Sequence, residues 1–310
     1  MFRVLITDGM EETALQQLRQ LGFEVTEQSV PAGELGAVMS QYDALLVRSA
    51  TKVRSCHIEE ARGSRLKLIL RCGVGVDNID VAAAEAAGIA VRNTPKAASE
   101  SVAELALGHL LSCCRSISAA GHTMREDKWE KKAYAGGIEL WGKTLGIIGF
   151  GRIGLAVAAI AAALGMHVLA YSRTPKNSPL AKFVTMDELL TQSDILTLHC
   201  PLTPQTTALI NSNTLSKMKD GAILLNTSRG GVLDEQAVAD ALRSGKLKAA
   251  AVDVAAAEPI PADSPLLDAP NCIITPHMAW APKESRQRIL NTTAESIRSF
   301  LAGNTANTVN

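Results

Sequence analysis

Four side chains in the second half of this sequence can act together in proton and hydride chemistry: Arg229, Asp253, Glu258 and His277. An arginine binds a carboxylate and polarises the carbonyl beside it. An imidazole carries a proton. A carboxylate next to an imidazole orients the ring and favours its charged form. Such a set suits the interconversion of an alcohol and a ketone, with a nicotinamide supplying the hydride. Singly, each residue has an ordinary explanation as a turn, cap or solvated side chain. What argues for a site is their shared position just past the ends of apolar runs.

The element that places them is the stretch from Lys143 to Thr174. Thr144 to Ile148 is an apolar run of strand length, followed by Gly149-Phe150-Gly151-Arg152-Ile153-Gly154. Leu155 to Leu164 is alanine-rich and predicts a helix stopped at Gly165, and His167 to Tyr171 predicts a second strand. A GxGxxG turn in this strand–helix–strand context is a dinucleotide fingerprint. Gly149 permits the turn, Gly151 permits close approach of a pyrophosphate, and Gly154 permits tight packing of helix on strand. Arg152 and Ile153 open the helix beside the anion. The second strand ends in Tyr171-Ser172-Arg173-Thr174, with no acid to accept from a ribose 2′-hydroxyl. Ser172, Arg173 and Thr174 therefore predict NADP(H) as the preferred cofactor, with NAD(H) as the other candidate. Further candidates to hold it lie after later strands: Cys200, Pro201, Thr206, Thr227, Ser228 and Asp253.

Around this unit the pattern alternates. Phe2 to Thr7, Phe23 to Thr26, Ala44 to Val47, Leu66 to Leu70 and Ile89 to Val91 predict five strands with helices between, including Glu11 to Leu21 and Val81 to Ala87. Ser99 to about Ala119 predicts one long helix, a natural bridge between two α/β segments. Met124 to Leu140 predicts a loop with a short helix. Asp194 to His199, Ala222 to Asn226, Ala249 to Val254 and Asn271 to Thr275 predict further strands. Lys283 to Leu301 predicts a last amphipathic helix, and Gly303 to Asn310 a loose tail. The expectation is an α/β protein with two Rossmann- or flavodoxin-like parallel-sheet domains.

Composition narrows the function. A chain of 310 residues suits two domains. Lys plus Arg and Asp plus Glu are both 31, which offers no basic field to nucleic acid or to an anionic membrane. Aromatics are only 4%, too few for base-stacking platforms. The six cysteines lack CxxC or zinc-finger spacing, so no metal site is expected. Reduced thiols and no signal peptide before the first strand predict a cytoplasmic protein. The apolar run Leu155 to Tyr171 is broken by Gly165 and His167, and reads as helix then strand rather than a membrane span.

Taken with Asn226-Thr227-Ser228-Arg229-Gly230-Gly231, with Asp253-Val254 leading to Glu258-Pro259, and with Thr275-Pro276-His277, the glycine motif resembles the D-isomer-specific 2-hydroxyacid dehydrogenases over essentially the whole chain. The resemblance implies that Arg229 binds the substrate carboxylate and carbonyl, that His277 is the acid/base and that Glu258 is its partner. It implies that Asp253 lies near the nicotinamide and that the backbone at Val74 and Gly75 holds the substrate carboxylate. It also implies a nucleotide domain over residues 98–283, inserted in a substrate domain made of 1–97 and 284–310, and a homodimer built largely through the nucleotide domain.

Within the family, Val47 to Val53, Arg71 to Asn78 and Ser101 to Leu105 look most like D-3-phosphoglycerate dehydrogenases. Arg48 and Arg71 match positions that contact the substrate or its phosphate there. No counterpart of the C-terminal regulatory domain is seen, so serine inhibition through it is not expected. Met278-Ala279-Trp280 after His277 looks more like glycerate and hydroxypyruvate reductases, with Trp280 shaping the pocket. The substrate expected is a small 2-keto or 2-hydroxy acid, D-3-phosphoglycerate included, with glyoxylate or hydroxypyruvate reduction as the alternative. A nucleotide-sensing corepressor is the competing reading from another class. The family's corepressors carry extended tails that this chain is not expected to have. Formate enzymes of the family replace the glutamate partner, whereas Glu258-Pro259 stands here.

Overall fold

A computed structural model describes residues 1–174 and 176–310. The chain divides into two units, one made of Met1–Ala98 with Pro282–Asn310 and the other of Ser99–Ala281.

The first unit holds strands β1 (Arg3–Ile6), β2 (Glu24–Glu27), β3 (Ala44–Val47), β4 (Leu68–Arg71) and β5 (Ala90–Asn93). They form a parallel sheet in the order β2-β1-β3-β4-β5. Every residue of β3 and β4 is buried, as an apolar run covered on both faces requires. Leu35, Met39, Ile58 and Ala84 pack on one face. Leu15, Leu18 and Ile297 pack on the other, so the helix Lys283–Leu301 returns to complete this core.

The segment expected to be a loose tail is tied down. Val309 N–H donates to Val91 O at 2.8 Å. The Asn310 side chain accepts from Val91 N–H and donates to Ile89 O. Buried Arg92 fastens the same region, donating to the carbonyls of Ser296 and Asn304. The polar residues of the tail expected to be loose supply hydrogen-bond partners for the open sheet edge at β5.

The second unit holds β6 (Thr144–Ile148), β7 (His167–Tyr171), β8 (Lys182–Phe183), β9 (Ile195–Leu198), β10 (Ala222–Asn226), β11 (Leu247–Val252) and β12 (Cys272–Ile274). The order is β12-β11-β10-β9-β6-β7-β8, and all pairs are parallel. β8 is too short to show a period and has no counterpart in the sequence pattern. Leu189, Leu215, Val238 and Leu242 cover one face of the sheet. Ala103, Ala106, Leu110, Val157 and Ala158 cover the other. Order reverses at β6, which lies between β7 and β9, so loops after these strands sit at a topological switch point. Among the described residues, no helix is long and apolar enough to cross a membrane.

Two further expectations are corrected. The helix predicted from Ser99 to about Ala119 ends at Arg115, and a second helix runs over Ile117–Arg125. Ser116 between them is left-handed, with φ 53°. Ser112 Oγ accepts from Ser118 N–H at 3.2 Å across the break. Helix periodicity alone does not reveal a single-residue turn of this kind, because both flanking segments keep it. The first helix belongs to the second unit and packs there through Ala103, Ala106, Leu110, Cys113 and Cys114. The segment expected to hold a short helix, Met124 to Leu140, has none among its described residues beyond the end of Ile117–Arg125. It is held instead by Ile138 N–H on Cys114 O and by Tyr134 on Thr123.

A left-handed backbone disfavours β-branched residues by about 1–2 kcal/mol. Ser116→Val is therefore expected to lower stability by about that amount, whereas Ser116→Gly is expected not to lower it. Urea unfolding of both variants measures the difference.

Candidate active site

The glycine turn has the geometry of a cradle. Gly149 follows β6 with φ 95°. A Cβ on it would stand 2.6 Å from the backbone of His199 and Cys200, so the loop after β9 passes directly against it. A Cβ on Gly154 would lie 2.3 Å from Gly149 O. At Gly151 nothing among the described residues lies within 4 Å of a Cβ. Gly151 also precedes the helix Arg152–Ala163, and no side chain caps that helix. A closely packed turn, an open approach and uncapped N–H groups at a helix start fit a pyrophosphate. The register Ile148↔Tyr171, with Gly149 N–H on Tyr171 O at 2.9 Å, brings the Ser172–Thr174 loop beside the turn. Arg173 and Thr174 are exposed there and Ser172 is half-buried. Lys176, which the sequence reading passed over, donates from Nζ to Phe150 O at 2.7 Å and adds a second cation to this corner.

After β9, Cys200 is buried and Pro201 exposed. The Thr206 hydroxyl is used inside its own turn, donating to Pro201 O at 2.7 Å. His199 is half-buried, with Nε2 3.0 Å from Thr197 Oγ1, and the enclosure of its ring lowers its pKa to about 4. It is a neutral packing residue under the glycine turn.

After β10, buried Asn226 builds the next loop. Its Oδ1 accepts from Ser228 N–H and Oγ, and its Nδ2 donates to Arg229 O. The buried Thr227 hydroxyl has no hydrogen-bond partner among the described residues. Arg229 Nη1 donates to Ser228 O at 2.7 Å. At Gly230 a Cβ would fall 1.9 Å from the carbonyl carbon of Ala255. Only glycine lets the Arg229 loop lie this close to the loop that carries Glu258.

The two loops after β11 and β12 meet in a carboxylate–imidazole pair. His277 Nδ1 lies 2.7 Å from Glu258 Oε2. Partial burial pushes the Glu258 carboxyl up, but the hydrogen bond and charge of His277, the Ala255 N–H and the charge of Arg229 outweigh it. Its pKa is therefore held below the ordinary carboxylate value. Glu235 accepts from Ala256 N–H at 2.7 Å and braces the same turn. Asp253 is 1% exposed and faces the loop after β12 rather than solvent, accepting from Thr275 Oγ1, Met278 N–H and Ala279 N–H. Trp280 Nε1–H donates to His277 O at 2.8 Å, so its polar edge serves the loop.

The remaining predicted residues lie in the five-stranded unit. Asp8 accepts from the N–H groups of Arg48 and Thr51, and Asn78 donates to Arg48 O and Thr51 O. These bonds fix the loop after β3. Burial draws the Arg48 guanidinium below its ordinary pKa, opposed by Cys72, Asp8 and Glu11. Arg71 is buried and turns back, with Nη1 donating to Cys72 O at 3.0 Å. Val74 is exposed and Gly75 half-buried in the loop after β4, where Asn93 Nδ2 donates to Val74 O.

A paired histidine and glutamate, an arginine and a glycine cradle on one rim of a parallel sheet suit oxidoreduction with a dinucleotide. The chain belongs to the D-isomer specific 2-hydroxyacid dehydrogenase family, whose NAD binding domain matches residues 107–279. It is 44% identical to a hydroxypyruvate reductase of Thermotoga maritima, over 93% of this chain and 94% of that one. It is 42% identical to a D-3-phosphoglycerate dehydrogenase of Methanocaldococcus jannaschii, over its whole length but only 59% of the relative's. Among solved structures, an acyclic imino acid reductase in complex with NADPH and D-Arg superposes with a TM-score of 0.92, at 29% identity over the full length of both chains.

Two outcomes follow from the geometry. Gly230→Ala forces the Arg229 and Glu258 loops apart and is expected to cost about 1–3 kcal/mol, read by chemical denaturation. Glu258, whose folded pKa is depressed, adds stability that is present above its ordinary value of 4.5 and lost as pH falls through the folded value. Glu258→Gln is expected to remove that part of the acid limb when stability is followed from neutral pH to below 4. An unchanged acid limb would mean that the pair adds nothing to folding.

Proposed function

We propose that this protein is an NAD(P)-dependent D-2-hydroxyacid dehydrogenase that interconverts a small 2-keto acid and its D-2-hydroxy acid. The observation that carries the reading is the 2.7 Å contact between His277 Nδ1 and Glu258 Oε2, in loops packed against that of Arg229. With Nδ1 engaged, Nε2 of His277 is the nitrogen that gives a proton to the carbonyl oxygen, or takes it back in the reverse direction. Glu258 holds the ring and stabilises it when charged. Arg229 binds the substrate carboxylate and polarises the carbonyl. Val74, Gly75, Arg48 and Arg71 are assigned to substrate binding, and Trp280 to shaping the pocket.

The dinucleotide is assigned to Gly149, Gly151, Arg152, Ile153 and Gly154 at the pyrophosphate, with Cys200, Pro201, Thr206, Thr227, Ser228 and Asp253 along its remaining length. When bound, it supplies the hydride. Ser172, Arg173 and Thr174, with no acid among them, support a preference for NADP(H) over NAD(H). We assign residues 1–97 and 284–310 to the substrate domain and 98–283 to the nucleotide domain, place the protein in the cytoplasm, and take the working form to be a homodimer.

The first substrate to test is hydroxypyruvate, because the chain spans 94% of the hydroxypyruvate reductase it resembles and has Met278-Ala279-Trp280 after His277. A second reading, 3-phosphoglycerate, is favoured by Arg48 and Arg71 in the five-stranded unit, two cations for a doubly charged phosphate.

A panel of 2-keto acids, 3-phosphoglycerate and imino acids, run with both cofactors at several pH values, decides among these. Turnover of a 2-keto acid is expected, and no turnover of any substrate would favour a nucleotide-sensing binding protein. His277→Ala is expected to lower kcat by about 10²–10⁴-fold, and an intact kcat would remove its acid/base role. Arg173→Ala is expected to raise KM for NADPH and leave that for NADH, while equal or better use of NADH by the parent enzyme would refute the cofactor preference. Arg48→Ala is expected to raise KM for a phosphorylated substrate above all.

A further inference from the structure

His277 sits on a strained loop. Its φ is 51°, in the left-handed region that non-glycine residues rarely occupy. Its N–H donates to Thr275 O at 2.9 Å. The hold on this conformation comes from Asp253. One carboxylate oxygen accepts from Thr275 Oγ1 at 2.6 Å and from Met278 N–H at 2.9 Å, and the other accepts from Ala279 N–H at 2.9 Å. The loop is thus gripped both before and after His277.

Behind Asp253 stands a second imidazole, that of buried His109. His109 lies on the helix Ser99–Arg115, is 4% exposed, and places Nε2 3.1 Å from Thr275 Oγ1. Hydrogen inventory sets the direction of that bond. A threonine hydroxyl has one hydrogen, and here it is given to the Asp253 carboxylate. The Thr275 oxygen can then only accept, so His109 Nε2 must carry the proton. His109 Nδ1 is buried with no partner among the described residues, so a proton there would be an unpaired buried donor. Burial also lowers the pKa of His109, against the opposing charge of Asp253. The ring is therefore neutral and in the Nε2–H form.

We propose that His109 is a positioning residue for His277, acting through the chain Thr275–Asp253 to hold the left-handed loop in place. The inference rests on the reading of His277 as the acid/base. The helix that carries His109 packs through Ala106, Leu110 and Cys113 against the sheet, so the chain is anchored in the core. Removing the imidazole frees the Thr275 hydroxyl to turn away from Asp253 and slackens the grip before His277. Catalysis depends steeply on such placement.

The test compares His109→Leu, His109→Gln and His277→Ala, with Thr275→Val and the His109→Leu/Thr275→Val pair. Loss of the donor in His109→Leu is expected to lower kcat by about 10-fold or more while KM for cofactor and 2-keto acid stays within about twofold. Gln places an amide N–H where Nε2 stood and is expected to restore most of kcat. Thr275→Val should cost a similar factor, and the pair no more than the larger single loss, because the two act as one unit. ¹⁵N shifts of labelled histidine in the parent protein are expected to show, besides the neutral His199 ring, a ring fixed in the Nε2–H form across about pH 6–8 that is missing from His109→Gln while the His199 signal stays. Persistence of the His199 signal shows that the variant is folded, and the tautomer itself is read in the parent protein.

If His277→Ala abolishes turnover while His109→Leu keeps full kcat, or if the His109 ring is Nδ1–H or charged, the positioning role is overturned. If His277→Ala keeps its kcat, it is the acid/base reading that fails.

Discussion

Asp253 is a carboxylate with almost no contact with water, and a buried charge is tolerated only where donors surround it. Three donors do so, and all come from the segment Thr275 to Ala279. Meeting the needs of that one charge folds the loop after β12 and holds His277 at positive φ. The imidazole then stands where Glu258 can bond it. Removing the charge would release the loop rather than one contact.

The loops meet because of the sheet beneath them. Parallel pairing of β6, β9, β10, β11 and β12 sends the ends of all five strands to one rim. Glycines then bring neighbouring loops closer than a side chain would permit. Gly149 lies against the loop after β9, and Gly230 against the backbone of Ala255. The cradle and the Arg229–Glu258 neighbourhood rest on the same device, two backbones in contact where a methyl group would collide. Elsewhere the rim is stiffened by side chains that bond their own loops, Asn226 and Thr206 among them.

Much of this was legible in the residues. Apolar runs of strand length, such as Thr144 to Ile148 and Ala222 to Asn226, carry their own boundaries, and both strands have those bounds. The GxGxxG turn identified the cradle because its glycines answer a geometric need. What was not legible depends on single torsions or distant partners. Ser116 breaks a helix whose periodicity continues on both sides. The polar tail finds its partners at Ile89, Val91 and Arg92, more than 200 residues away. His109 is a lone histidine on an apolar helix, a pattern read by default as core packing. Its bond to Thr275 spans 166 residues and leaves no local trace. Lys176 reaches the glycine turn only because β6 and β7 are paired.

On this rim a bound nicotinamide would give its hydride to one face of the C2 carbonyl of a 2-keto acid, while His277 gives a proton to the carbonyl oxygen. The most direct measurement follows deuterium from reduced nicotinamide doubly deuterated at C4 into the product of hydroxypyruvate reduction, with the product resolved by chiral chromatography. The account predicts a D-2-hydroxy acid with deuterium on C2. An L product, or a product without deuterium at C2, would contradict it.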